Sequence, residues 1–73
     1  MTNEARPIKW IVAPPGESIF SELAANIEIL DEGAGEFVEV TQYADECGKI
    51  RIDKDEWENI KNAIDFAFSN CKD

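Results

Sequence analysis

The chain has 73 residues, 44% of them hydrophobic, and a net charge of −9 at neutral pH. This length suits one domain covering residues 1–73, and the hydrophobic fraction is too high for a disordered acidic tail. The charge repels phosphate backbones and anionic lipids over about 8 Å at physiological salt, which argues against direct binding to nucleic acid or to a membrane.

The N-terminal third predicts one strand and one ambiguous segment. Residues 8–13 are rich in β-branched and aromatic side chains, and Pro14-Pro15-Gly16 ends that strand in a turn. Residues 17–24 fit two structures: either Ser18 caps a turn of helix, or the segment is irregular. The helical alternative would turn three apolar side chains inward, namely Ile19, Phe20 and Leu23.

Three further strands are predicted in the middle of the chain, over 25–30, 36–43 and 49–52. The loop 31–35 contains two glycines, which suit the positive φ of a chain reversal, and a second loop covers 44–48. The strands therefore form an antiparallel meander with short connections. Alternation places the following residues on one face of it: Ile27, Ile29, Val38, Val40, Ile50 and Ile52.

A helix after residue 53 is the clearest element. Asp53 suits the N-cap position, and Glu56, three residues later, completes a capping-box pattern. Apolar residues then recur at helical spacing and form a single line along the helix. We call this line the helix stripe; it consists of Trp57, Ile60, Ile64, Ala67, Phe68 and Cys71.

The helix stripe and the apolar face of the meander together predict a core of two layers, because each of them needs an apolar cover. The expected fold is α+β, a small antiparallel sheet of three to four strands packed on one C-terminal helix. In this fold Trp57, Ile60, Ile64 and Phe68 are buried against Val38, Val40, Ile50 and Ile52.

Nothing in the chain predicts an enzyme. It has no histidine, no phosphate-binding glycine loop and no dinucleotide motif. Cys47 lies next to Asp45 and Glu46, and Cys71 lies near the negative end of the helix, so both settings disfavour a thiolate. A calcium loop counted from Asp53 lacks the required glycine and glutamate. We expect no catalytic residue, no cofactor and no metal.

Targeting patterns favour a cytoplasmic location. No run approaches the ~20 apolar residues of a membrane span, and the N-terminus lacks the basic-then-apolar pattern of a signal peptide. Thiols stay reduced in the cytoplasm. If the helix returns along the last strand, Cys47 and Cys71 are neighbours at one end of the molecule; otherwise they are two unrelated thiols.

The other face of the sheet has two interpretations. Lys49 and Arg51 share it with Phe37 and Tyr43, and bases combined with aromatic rings on a sheet are typical of a platform for single-stranded nucleic acid. Glu39 lies on the same face and makes the local charge mixed. A cross-strand ion pair between Glu39 and Arg51 is therefore the second interpretation.

Residues 48–61, Gly-Lys-Ile-Arg-Ile-Asp-Lys-Asp-Glu-Trp-Glu-Asn-Ile-Lys, resemble the last strand and helix of the PC4-like transcriptional coactivators. This resemblance implies a sheet followed by a helix entered through a Trp-containing turn, dimerisation, and binding of single-stranded DNA. The family's basic strands are absent here. In general character the whole chain also resembles the small acidic proteins that bacteriophages encode.

We expect a non-enzymatic protein-interaction module, a phage accessory or inhibitor protein whose acidic surface mimics nucleic acid and binds a basic surface of a host protein. The alternative is a PC4-like protein that binds single-stranded nucleic acid or acts in transcription. Apolar residues outside the predicted core also favour a homodimer. The predicted partner-binding residues are Phe37, Tyr43, Phe66, Glu32, Glu36, Asp45, Glu46 and Glu58.

Overall fold

A computed structural model describes residues 2–72 and contains one antiparallel sheet followed by one long helix. The strands follow each other across the sheet in chain order, so every connection joins neighbours. The predicted α+β class, with a small antiparallel sheet and one C-terminal helix, is confirmed, and the sheet has four strands. The elements are β1 (Lys9–Val12), β2 (Ala25–Asp31), β3 (Glu36–Gln42), β4 (Gly48–Ile52) and α1 (Lys54–Ser69).

The reversal between β2 and β3 depends on local turn chemistry. The Asp31 carboxylate accepts a hydrogen bond from the backbone N–H of Gly33 at 2.7 Å, and Gly33 has a φ of 97°. Glycine adopts this conformation at no steric cost, while the aspartate side chain replaces a backbone partner. Between β3 and β4 the chain instead forms a tight turn at Ala44–Glu46, in which Asp45 and Glu46 both have a positive φ.

Residues 13–24 form successive turns, which settles the ambiguous segment as irregular. The Ser18 hydroxyl accepts a hydrogen bond from the N–H of Phe20, and the Ser21 hydroxyl accepts one from the N–H of Leu23, each at 3.0 Å. Serine side chains that bond the backbone two residues ahead compete with helix formation. Ile19, Phe20 and Leu23 are exposed, so the inward orientation that a helix would have given them is absent.

Strand register confirms the predicted faces of the sheet. One cross-strand row on the apolar side consists of Trp10, Ile27, Val40 and Ile50. The next row contains Ile29, Val38 and Ile52. The N–H of Ile29 bonds the carbonyl of Ile8, which continues this second row. We call the apolar side of the sheet the inner face; it consists of Ile8, Trp10, Val12, Ile27, Ile29, Val38, Val40, Ile50 and Ile52.

Helix α1 begins where the capping pattern predicts. Asp53 has extended backbone angles, and the Glu56 carboxylate accepts a hydrogen bond from the Asp53 N–H at 2.8 Å. This bond satisfies a backbone donor at the helix start that has no partner within the helix. At the other end α1 stops at Ser69, so Cys71 lies past the helix.

The predicted burial of the helix stripe is wrong for the single chain. Trp57 remains 44% exposed, Ile64 43% and Phe68 71%. On the sheet side Ile50 is exposed, Val38 and Val40 are half-buried, and only Ile52, at 7%, is buried. The extensive contacts between the described elements all join neighbouring strands, so the helix does not cover the sheet.

The shape of the chain agrees with this lack of cover. Its radius of gyration is 15.1 Å, whereas a compact domain of 73 residues has about 11 Å. Its accessible surface is 6536 Å², while a compact monomer of 8.2 kDa exposes about 4,500 Å². A single copy therefore exposes about 2,000 Å² more than a compact monomer of the same mass would.

Candidate protein-interaction surface

An apolar groove of about 430 Å³ opens on the inner face. Its floor comes from the central strands, and the Trp57 side chain, one turn into the helix, forms part of its wall. The position of Trp57 follows from the short β4–α1 connection, because Asp53 alone separates the strand from the helix. The inner-face side chains that line the groove are Ile27, Ile29, Val38, Val40 and Ile52, together with Trp57 of the helix, and Glu36, Asp53 and Lys54 lie at its edge.

Around this groove the inner face stays apolar and accessible. Four of its large hydrophobic side chains are exposed: Ile8 just before β1, Trp10 and Val12 on β1, and Ile50 on β4. The rows that contain them carry no charged residue, and Gln42 is the polar member of the row through Val12. A contiguous exposed apolar patch of this kind is typical of a protein-interaction site.

The helix stripe is a second uncovered apolar surface on the same chain. Helix α1 has 16 residues and is about 24 Å long. The central strands have seven residues each and are about 23 Å long. The two surfaces therefore have matching lengths, and within one chain the groove joins them at the start of the helix, where Trp57 lines it.

The three predicted apolar partner residues lie on different surfaces. We call the side of the sheet opposite the inner face the outer face; it includes Lys9, Glu28, Phe37, Glu39, Thr41, Lys49 and Arg51. Phe37 is half-buried there, below Arg51. Tyr43 is exposed just after β3, and its hydroxyl accepts a hydrogen bond from the Asn26 side chain at 3.2 Å. Phe66 is 72% exposed on the side of the helix opposite the stripe. The structure does not bring these three side chains together.

The five predicted acidic partner residues are also separated. Glu32 and Glu36 lie at the β2–β3 turn, Asp45 and Glu46 lie at the β3–β4 turn, and Glu58 lies on the helix. The two turns are at opposite ends of strands about 23 Å long. Two of the five carboxylates are paired with bases, because Glu32 bonds Arg51 and Glu36 bonds Arg6.

Arg51 has a different ion-pair partner from the one predicted. Register places Glu39 directly opposite Arg51, as expected. The guanidinium nevertheless donates two hydrogen bonds, at 2.8 and 2.9 Å, to the two carboxylate oxygens of Glu32. This geometry is preferred because a planar guanidinium matches both oxygens of one carboxylate at once.

The outer face of the sheet has mixed charge. One cross-strand row consists of Lys9, Glu28, Glu39 and Arg51, so two acids lie between two bases. Lys49 adds a base in the next row, opposite Thr41. Bases therefore flank the face on its outer strands, while acids occupy its centre.

Among residues 2–72, no cluster of histidine, cysteine, aspartate or glutamate could hold a metal ion. Cys47 and Cys71 are both free and exposed. None of the helices in this range combines the length and the apolar character that crossing a membrane requires.

Trp10 and Ile8 are candidate site residues that the sequence analysis missed. The signal was present, because residues 8, 10 and 12 alternate with residues 9 and 11. This period of two places Ile8, just before β1, on the same side of the chain as Trp10 and Val12. The pairing of β1 with β2 puts this side on the inner face, where it extends the apolar surface.

We compared the chain with protein-family models, with curated proteins and with solved structures, and no match was found in any of the three comparisons.

Proposed function

We propose that this protein is a non-enzymatic protein-interaction module that binds another polypeptide through its inner face and its helix stripe. One observation carries the proposal: a single chain leaves both of these apolar surfaces uncovered, with about 2,000 Å² of accessible surface beyond that of a compact monomer. The large exposed side chains on both surfaces are hydrophobic, and removing such side chains from water favours association.

The apolar surfaces support this function better than the acidic ones do. Mimicry of nucleic acid needs carboxylates on one continuous surface, at spacings like those of phosphates. The carboxylates of Glu32, Glu36, Asp45, Glu46 and Glu58 lie on three separate parts of the chain. Acidic mimicry therefore stays a prediction, in which the net charge of −9 steers the module toward a basic host protein.

The biological setting is part of the same proposal. A small acidic interaction module fits a phage accessory or inhibitor protein that acts on a host protein in the cytoplasm. Cys47 and Cys71 are exposed and unbonded to each other, and a reducing compartment keeps such thiols free.

The proposal is tested by a capture experiment in which this chain is immobilised. The immobilised chain is exposed to a bacterial lysate to which a labelled copy of the same chain has been added. We expect capture to be lost when a charge enters either apolar surface, as in Ile50→Glu or Ile64→Glu. The matched control is Asn62→Glu, which adds the same charge on the opposite side of the helix and should leave capture unchanged.

Capture that is equally strong for the wild type, Ile50→Glu and Ile64→Glu would contradict the proposal. Circular dichroism of each variant distinguishes a lost surface from a lost fold. Both substituted side chains are already exposed in the single chain, so the isolated fold should tolerate them.

A second candidate function is binding of single-stranded nucleic acid on the outer face. The observation that favours it is the set of bases on the outer face, with Lys9 and Lys49 on the flanking strands and Arg51 beside the Phe37 ring. Aromatic rings and bases on a sheet serve as a stacking platform. The resemblance to the PC4-like coactivators also implies a sheet followed by a helix, which is the order of elements in this chain.

Fluorescence anisotropy with a labelled oligonucleotide tests this second function. The second function would be supported if the wild type binds the oligonucleotide at physiological salt and if Lys49→Glu weakens this binding. The control Lys61→Glu, on the helix, should leave the binding unchanged. The net charge of −9 opposes this binding. An unchanged anisotropy over the whole titration would exclude the second function.

A further inference from the structure

The inner face and the helix stripe are both uncovered in a single chain. They match in length and are both apolar, so each could cover the other. We propose that a second copy of this chain supplies both covers, with the helix stripe of each copy lying on the inner face of its partner. This inference rests on the proposed interaction function and names the partner. The resulting two-fold dimer would complete the two-layer packing that one chain leaves unmade.

The match in size and composition supports a second copy. A helix of about 24 Å fits along strands of about 23 Å. The helix stripe provides large apolar side chains, among them Trp57, Ile64 and Phe68, and the inner face provides mainly β-branched ones. Helix stripes packed on apolar sheet faces form the ordinary core of α+β domains.

The amount of uncovered surface fits a homodimer. Each copy has about 2,000 Å² beyond the surface of a compact monomer, so a pair would remove about 4,000 Å² if both became compact. Interfaces of permanently associated homodimers bury about 2,000–5,000 Å² in total. The surplus therefore lies within the range of such dimers.

Stoichiometry favours a second copy over an unrelated helix. Each chain offers one inner face and one helix stripe. A foreign helix on the inner face would leave the chain's own helix stripe exposed. A second copy related by a two-fold axis covers both surfaces of both chains, so neither the inner face nor the helix stripe is left free for a third copy.

Charge is compatible with this pairing and makes it sensitive to salt. The central rows of the inner face carry no charged residue, and Ile50 and Val40 lie in one of them. Charged residues border these rows at one end, where Asp31 is in register with Glu36 and where Glu36, Asp53 and Lys54 line the groove. Two chains of −9 each repel one another at long range, so added salt should tighten the dimer. A basic foreign partner would instead be weakened by salt.

Light scattering coupled to size exclusion provides the first test. We expect the purified full chain to have twice the mass of 8.2 kDa, and Ile50→Glu or Ile64→Glu to return it to the monomer mass. Asn62→Glu should remain dimeric. A wild-type mass of 8.2 kDa at all concentrations would overturn the inference.

Isotope-filtered NMR on the wild type tests the arrangement even if a variant fails to fold. In a mixture of labelled and unlabelled chains, we expect contacts between copies from the Phe68 and Ile64 side chains to the Trp10 and Ile50 side chains. Contacts between copies that join only the two helices, or only the two outer faces, would overturn the arrangement.

The two proposals fail in different ways. If the chain is monomeric and a foreign protein is captured, with capture lost in Ile50→Glu and Ile64→Glu, the second copy is excluded while the interaction function stands. If Ile50→Glu and Ile64→Glu change neither the capture of a labelled copy nor the capture of a foreign protein, the interaction function is excluded together with the second copy.

Discussion

The guanidinium carbon of Arg51 lies 5.0 Å from the centre of the Phe37 ring, in the range of a cation–π contact. The same guanidinium bonds both carboxylate oxygens of Glu32, so one side chain ties β4 to the β2–β3 turn. Arg51 thereby covers an aromatic ring that would otherwise be exposed on the outer face. Phe37 is half-buried for this reason and is less available to a partner than its sequence position predicts.

Replacing Arg51 by lysine should lower the free energy of unfolding by about 1 kcal/mol, measured by urea denaturation at a fixed protein concentration. An exposed cation–π contact is worth about 0.5–1 kcal/mol and an exposed ion pair about 0.2–1 kcal/mol, and lysine retains only part of each. Lysine keeps the charge but loses the paired hydrogen bonds.

Two glutamine substitutions identify the partner of Arg51. Glu32→Gln should destabilise the fold, whereas Glu39→Gln, directly across the strand pair, should have little effect. The opposite order would show that Arg51 pairs with Glu39 in solution.

Ile52→Ala should lower the free energy of unfolding by about 2–5 kcal/mol, because Ile52 is buried and its truncation leaves a cavity at the floor of the groove. Ile19→Ala is the matched control, since Ile19 is exposed in the turn segment and should tolerate truncation. Thermal unfolding followed by circular dichroism gives both values. Equal losses would mean that the groove does not contain the core of the fold.

Ile64→Ala should destabilise the protein in a way that depends on its concentration. In a single chain Ile64 is 43% exposed, so truncation removes little buried surface. In the proposed dimer the same side chain is buried on the partner's inner face, and the loss rises toward about 2–5 kcal/mol. Phe66→Ala, on the opposite side of the helix, should show no such dependence when melting temperatures are compared over a dilution series.

Removing the Glu56 carboxylate should weaken the start of the helix. Glu56→Ala is expected to cost about 0.5–1 kcal/mol, since the Asp53 N–H loses its acceptor. Glu56→Gln is the control, because an amide oxygen can still accept that hydrogen bond. Denaturation followed by far-ultraviolet circular dichroism should separate the two variants, and equal stability would show that the bond contributes nothing.

Tryptophan fluorescence should report association. The chain has two tryptophans, Trp10 on the inner face and Trp57 in the groove, and both are partly exposed in one copy. Raising the protein concentration should shift their emission to the blue and protect them from a soluble quencher, since the partner removes them from water. Raising salt from about 50 mM to about 500 mM should strengthen this protection. Protection that weakens with salt would indicate association through opposite charges.

Most of the local structure could be predicted from the sequence. Alternation assigned Ile27, Val40 and Ile50 to one face because strand side chains repeat every two residues, and register confirms that assignment. The capping pattern at Asp53 located the helix start, because it depends on residues close in the chain. The irregular segment after Pro14 stayed ambiguous, since its serines suit both a helix cap and a turn.

Tertiary structure decided which surfaces meet. A hydrophobic period of two residues in a strand, or of 3.6 residues in a helix, indicates which side of the element is apolar. It does not indicate what covers that side. The helix stripe and the inner face were both identified from the sequence, and the chain does not pack one on the other. In the same way, alternation placed Arg51 opposite Glu39, yet its partner is Glu32 in a turn. A long side chain can reach several neighbours, and distance and hydrogen-bond geometry in three dimensions determine which of them it binds. Sequence spacing does not specify these quantities.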